Sequence, residues 1–244
     1  KSFQKVQHFA QDHHFIQVEA DAAKYVGIFH YFKGENQQAL AAYQTSLTYY
    51  RSENTPIKHA NLLNNVGLVY AATGDTQQAL TRYKKAEVIY QKLGSEVDKV
   101  DIRYNIAGLY LRLQRYDIAI DLFQQVIKKR IELKDNIGLA NVHGDIGNAY
   151  NHSGQFSLSI KYLLKALTFY QNSNDQYNSA SQLHNLAELY NVLNQPKRAV
   201  EYAQQAIKLS EEAGHKNAYA GSLYSLAKAH LYLGDIEQAH EYLQ

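Results

Sequence analysis

Residues 61–80 read NLLNNVGLVYAATGDTQQAL, and the same pattern returns along the chain at a fixed interval. DAAKYVGIFHYFKGENQQAL begins at 21, DIRYNIAGLYLRLQRYDIAI at 101, NVHGDIGNAYNHSGQFSLSI at 141, SQLHNLAELYNVLNQPKRAV at 181 and GSLYSLAKAHLYLGDIEQAH at 221. The starts lie forty residues apart, with no insertion anywhere. A fixed period of this length marks a repeat architecture, in which each unit buries its apolar face against its neighbours.

Within the unit the same columns recur. Gly27, Gly67, Ala107, Gly147, Ala187 and Ala227 form a small-residue column. Three positions later stands an aromatic column of His30, Tyr70, Tyr110, Tyr150, Tyr190 and His230. Apolar spacing is three and four, as in Ala79-Leu80-Tyr83-Ala86-Ile89-Tyr90, which is one face of a helix. Gly34, Gly74, Gln114, Gly154, Asn194 and Gly234 fall where a left-handed residue would end a first helix. Asp75 and Asp235 are placed to cap the second, and Pro196 falls in its tolerant first turn. Asn54, Gly94, Asn174 and Gly214 should end the second helix, with Lys134 as the exception. Thr55, Ser95, Asp135 and Asp175 then cap the next unit. Each unit is therefore a helical hairpin, and stacked copies make an all-α solenoid.

The composition narrows the function. The chain has 244 residues, 45% hydrophobic, with only 2 Pro, and a net charge of +2. That charge is too small and too scattered for a nucleic-acid surface. No apolar run reaches the length of a membrane span. With no cysteine, thiolate metal sites and cysteine nucleophiles are excluded. The chain also holds no Met, so Lys1 is read as a position inside a larger or processed protein. Bacterial cytoplasm and periplasm both remain open.

The columns resemble the tetratricopeptide repeat, whose pattern appears as Leu63, Val66, Gly67, Tyr70, Ala79, Tyr83 and Ala86. The usual unit is about 34 residues. The forty-residue unit is similar to that of kinesin light chain, Pins-type adaptors and bacterial sensor or regulator proteins. The resemblance implies a right-handed α-solenoid, a tetratricopeptide superhelix, over residues 1–244. Repeats run over 21–60, 61–100, 101–140, 141–180 and 181–220, with a partial repeat at 221–244. Residues 1–20 are read as the second helix of an earlier repeat, Phe3 aligning with Tyr43 and Val6 with Ser46. Ala203 departs from the pattern by standing where a large aromatic is usual.

In such solenoids the first helices line the concave face, and one polar column is placed to lie there: Tyr25, Asn65, Asn105, Asp145, Asn185 and Ser225. It precedes the small-residue column by two positions, about 200° around a helix, and so points away from the packed seam. A carboxamide carries both an acceptor and donors and can bracket one peptide unit of an extended ligand. In long-repeat relatives, asparagines of this column contact peptides in that way. The resemblance implies a peptide-binding ladder of Asn65, Asn105, Asp145 and Asn185. Asn64, Tyr104 and His184 lie one position earlier, and Leu68, Asn148 and Glu188 three later. Ala71, Asn191 and the rim residue Arg112 also face this surface on the same reading. The competing reading is that the amides bond neighbouring repeats.

Other signals are weak. His13 and His14 point about 100° apart on a helix, and no HExxH occurs, so no metal is expected. Gly144-Asp145-Ile146-Gly147 is the repeat's own seam and not a phosphate loop, and no catalytic constellation or cofactor motif appears. Lys128-Lys129-Arg130 reads as a solvated helix end. The sequence thus points to a non-enzymatic module that takes a protein or peptide partner, with no nucleic acid, metal or cofactor. It fits the sensory or regulatory part of a bacterial signalling protein. The alternative is an assembly scaffold acting through its convex face or its ends, for instance as a homodimer.

Overall fold

The computed structural model describes residues 5–6, 15–52 and 55–243. The reading of 1–20 as an earlier second helix lies largely outside these. From Phe15 onward twelve helices follow one another, with no strand among the described residues. They are α1 (Ile16–Phe32), α2 (Asn36–Ser52), α3 (Pro56–Ala72), α4 (Thr76–Leu93), α5 (Glu96–Arg112), α6 (Tyr116–Glu132), α7 (Asn136–His152), α8 (Phe156–Asn172), α9 (Gln176–Val192), α10 (Pro196–Glu212), α11 (Lys216–Leu233) and α12 (Ile236–Glu241). The chain divides into two compact units, residues 1–113 and 114–244. In the first, α1 pairs with α2 and α3 with α4, and α5 follows; in the second, α7 pairs with α8, α9 with α10 and α11 with α12.

Local chemistry explains the helix ends. The column expected to stop the first helix has positive φ throughout, from 54° at Asn194 to 86° at Gly234. Asp75, Asp135 and Asp175 accept from the backbone N–H three residues on, and Ser95 forms a reciprocal capping box with Asp98. Two expected caps act otherwise. Thr55 instead donates its hydroxyl to the Tyr50 carbonyl, and the Asp235 carboxylate lies 3.3 Å from His230 Nδ1. The second stop column also differs from expectation. Lys134 takes the left-handed conformation, φ 56°, whereas Gly94 is extended at φ −79° and ψ 156°. Helix α4 runs one residue longer than α2, to Leu93, and the chain leaves it without a left-handed turn. Lys134 therefore carries the steric penalty of a side chain in that region. Lys134→Gly is expected to raise stability by about 1 kcal/mol, measured as a higher urea midpoint. An unchanged or lower midpoint would show that Lys134 makes compensating contacts.

The small-residue column lets paired helices close on each other. A Cβ on Gly27 would lie 2.5 Å from the Tyr43 ring, and one on Gly147 would lie 2.8 Å from Leu163 Cδ2. A Cβ on Gly67 would overlap the Tyr83 ring in the same way. Size is traded across the seam. Where the column is Ala187 the partner is Ala203, and Leu226 of α11 packs with both. The missing aromatic at 203 is thus replaced from the next hairpin.

A second device joins the ends of three hairpins. Tyr50 donates to Asp21, Tyr90 to Asn61 at 2.7 Å and Tyr170 to Asn141 at 2.7 Å, always across 29 residues. Burial pushes the Tyr170 phenol up to about 12, so it remains a donor at any physiological pH. Arg130 takes the corresponding place to Tyr90 and Tyr170. It is buried and ion-paired with Asp135, so this member of the basic run is a packing residue rather than a solvated one.

Candidate functional site

The ladder residues all sit on first helices, and the two units are best taken separately. In the first unit Asn64, Asn65 and Leu68 lie half-buried on α3, and Tyr104 and Asn105 half-buried on α5. Asn105 Nδ2 donates to Asn64 Oδ1 at 2.9 Å. Successive first helices therefore bring these amides onto one surface. Farther along the same pair of helices, Arg112 Nη1 donates to the Ala71 carbonyl at 2.8 Å, beside the 3.3 Å bond that this carbonyl accepts from the Gly74 N–H in the last turn of α3. Asn65 makes no side-chain hydrogen bond among the described residues. Tyr25, on α1, is exposed, with Lys24 Nζ 4.4 Å from its ring centre.

In the second unit Asp145 and Asn148 are half-buried on α7, and His184 and Asn185 half-buried on α9. Asn185 Nδ2 donates to Asn148 Oδ1 at 3.2 Å, again linking successive first helices. Glu188 is exposed one turn along from His184. His184 is lowered from its usual range chiefly by burial, against an opposing pull from Glu188. Its ring rests on α11, where a Cβ at Gly221 would lie 2.6 Å from Cε1. The glycine is what allows that approach.

The competing reading of the amide column thus holds for part of it. Two of its members, Asn105 and Asn185, are tied to the neighbouring repeat by one N–H each, which leaves their carbonyl oxygens outside those bonds. Asn191 is different. It is 2% exposed, and its Nδ2 donates to the Ser225 carbonyl at 2.7 Å. It pins α9 to α11 and does not line a groove. Ala71 is likewise buried. Helix geometry separates Asn191 from Asn185: Asn191 stands four positions after the seam residue Ala187, about 40° around the helix from it, whereas Asn185 stands about 200° from it. Among the described residues no group of three or more His, Asp or Glu is placed to hold a metal, and no helix is long and apolar enough to cross a membrane.

Helical hairpins with a glycine seam, an aromatic across it and polar first-helix faces define a tetratricopeptide-repeat protein. Family models agree: tetratricopeptide repeats match residues 140–173 and 179–213. The model of SNAP, soluble NSF attachment protein, matches residues 6–137, just over half of the chain, and the chain belongs to that family. No curated protein matches the sequence. Among solved structures the chain is similar to BtubC (BKLC) from P. vanneervenii, with a TM-score of 0.72 at 18% identity over 85% of this chain and 88% of that one. It is similar also to aspartyl phosphate phosphatase F from Bacillus subtilis, with a TM-score of 0.74 at 16% identity over 94% and 69%. A third is the Rap conjugation gene regulator of the plasmid pLS20 in complex with the Phr* peptide, with a TM-score of 0.72 at 15% identity over 96% and 65%. At these identities the likeness is one of fold.

Proposed function

We propose that the chain is a non-catalytic module that binds an extended peptide or protein segment on its first-helix faces, as the sensory or regulatory part of a bacterial signalling protein. Asn65, Asn105, Asp145 and Asn185 read the ligand backbone, and Tyr25, Asn64, Leu68, Tyr104, Arg112, Asn148, His184 and Glu188 set preference along it. The observation that carries this reading is Asn65. It is a half-buried carboxamide with no protein partner among the described residues, beside the Asn64–Asn105 amide pair. A polar group so placed gains most from a ligand that supplies both a donor and an acceptor. The pLS20 Rap regulator, which shares the fold, was solved with a peptide.

The test is the triple variant Asn65→Ala/Asn105→Ala/Asn185→Ala. A peptide selected from a random display library against the native chain is titrated by fluorescence anisotropy. The variant should stay folded and bind about a hundredfold more weakly, since each lost amide pair is worth roughly 1 kcal/mol. The alternative reading, an assembly scaffold, is favoured by the exposed apolar side chains Leu231, Tyr232, Ile236 and Leu243. It predicts that binding survives the triple substitution unchanged, and that result would sink the ladder.

A further inference from the structure

A groove of about 620 Å³ runs between α2 and α4, with α3 as its floor, and its walls are cationic. Arg51 comes from α2, Arg82 and Lys85 from α4, and His59 from α3. Gln44 and Thr48 add neutral polar groups, and no carboxylate lines it. Among the described residues no carboxylate pairs with Arg51, Arg82 or Lys85. Arg82 Nε is buried and has no acceptor.

The chain's own repeats show that this is a departure. At the place of Arg82, two later repeats carry Tyr162 and Tyr202, which stack on Tyr150 and Tyr190 at 5.4 and 5.3 Å. In the α2–α4 groove the Arg82 guanidinium lies 6.0 Å from the Tyr70 ring centre, so a cation occupies the place where those repeats put a second ring. At the place of Arg51 the later repeats carry Gln91, Ile131, Gln171 and Glu211. At the place of Lys85 they carry Gln125, Lys165 and Gln205. Neither packing nor the repeat pattern calls for three unpaired cations in one groove, whose mutual repulsion opposes folding.

We propose that the α2–α4 groove is a binding site for a phosphate-type oxyanion. Two guanidinium forks supply bidentate donors, Lys85 a point charge, and Gln44 and Thr48 neutral hydrogen bonds. The groove is larger than one phosphate and admits a diphosphate or a phosphate ester carried on a partner. His59 reports on the site. Burial, then Arg51 and Lys85, hold it below the usual imidazole range, and a bound anion reverses the electrostatic part of that effect. This assignment is independent of the peptide-binding reading, because none of these residues belongs to the amide ladder.

The test is an NMR titration of the whole chain with inorganic pyrophosphate at constant ionic strength, following the His59 imidazole. A saturable shift is expected, with His59 titrating at higher pH when the site is filled. Arg82→Tyr, the side chain at the same place in Tyr162 and Tyr202, and Lys85→Gln are each expected to weaken binding about tenfold or more, one charge-assisted contact each. Lys128→Gln, on a different helix, should leave it unchanged. Melting curves check the fold, and if Arg82→Tyr fails to fold, Lys85→Gln on the exposed wall decides the matter. A phosphoserine peptide that binds more tightly than pyrophosphate assigns the anion to a protein partner, and the reverse order assigns it to a small free polyanion. No saturable response to either probe, or a response that survives the Lys85 substitution, overturns the proposal.

Discussion

Tyr83→Ala is expected to destabilise the protein by about 4 kcal/mol, and Gly67→Ala by about 2 kcal/mol, while the double variant loses less than their sum. Tyr83 is 2% exposed and its ring fills the seam that Gly67 leaves open. Truncating it removes a buried aromatic and leaves a cavity between two helices that cannot collapse freely. A methyl at Gly67 has the opposite fault, since it overlaps that ring and must displace it. The better helix propensity of alanine offsets only about 1 kcal/mol of the overlap. With both changes the methyl enters the space the ring has left. The chain already contains that solution at Ala187 and Ala203, where both residues are fully buried. Urea unfolding followed by circular dichroism, with hydrogen exchange resolving residues 15–113, measures the cycle. Strict additivity of the two losses would show that the seam does not couple these positions.

The hairpins are legible in the sequence because their determinants are local and periodic. Gly67 and Tyr70 stand three apart, Asp75 caps at once after Gly74, and each feature returns at forty residues. What depends on neighbours is less legible. Gly94 and Lys134 share a column, yet the glycine is extended and the lysine left-handed, because α4 continues to Leu93 before the chain turns away. Asn185 and Asn191 lie about 1.7 turns apart on α9 and so point to different faces, and the bond to the Ser225 carbonyl on α11 is what makes the second a buried strut. The amide column has its members on first helices, one per repeat. Its division between repeat-to-repeat bonds and open groups depends on distances such as that between Asn105 and Asn64. The cationic groove escapes sequence reading altogether. Its members lie at 51, 59, 82 and 85 on three helices, and its one visible sign is Arg82 in a column that elsewhere holds Ala42, Leu122, Tyr162, Tyr202 and Tyr242.

Acid is expected to loosen the second unit through His143. This imidazole is 5% exposed, packed 5.5 Å from the Tyr162 ring and 5.9 Å from the Phe169 ring, and its Nδ1 has no partner. Burial, with Lys165 adding repulsion, lowers it from 6.5 to about 4. The folded state therefore holds the ring neutral while the unfolded state protonates it on acidification. Between those two values the unfolded chain binds more protons, so stability is full above pH 6.5 and falls as pH drops toward 4. The span is worth about 3 kcal/mol, a large share of a marginal total. His59 and His184 are lowered as well and act with the same sign. The same position in other repeats holds Leu63, Leu183 and Leu223, so His143→Leu is a substitution the architecture accepts. In urea melts at pH 7 and pH 4.5 the native chain should lose most of this stability and the leucine variant much less. Equal losses in the two proteins would place the acid sensitivity elsewhere, because a buried, unpartnered imidazole is the strongest proton acceptor that folding suppresses among the described histidines.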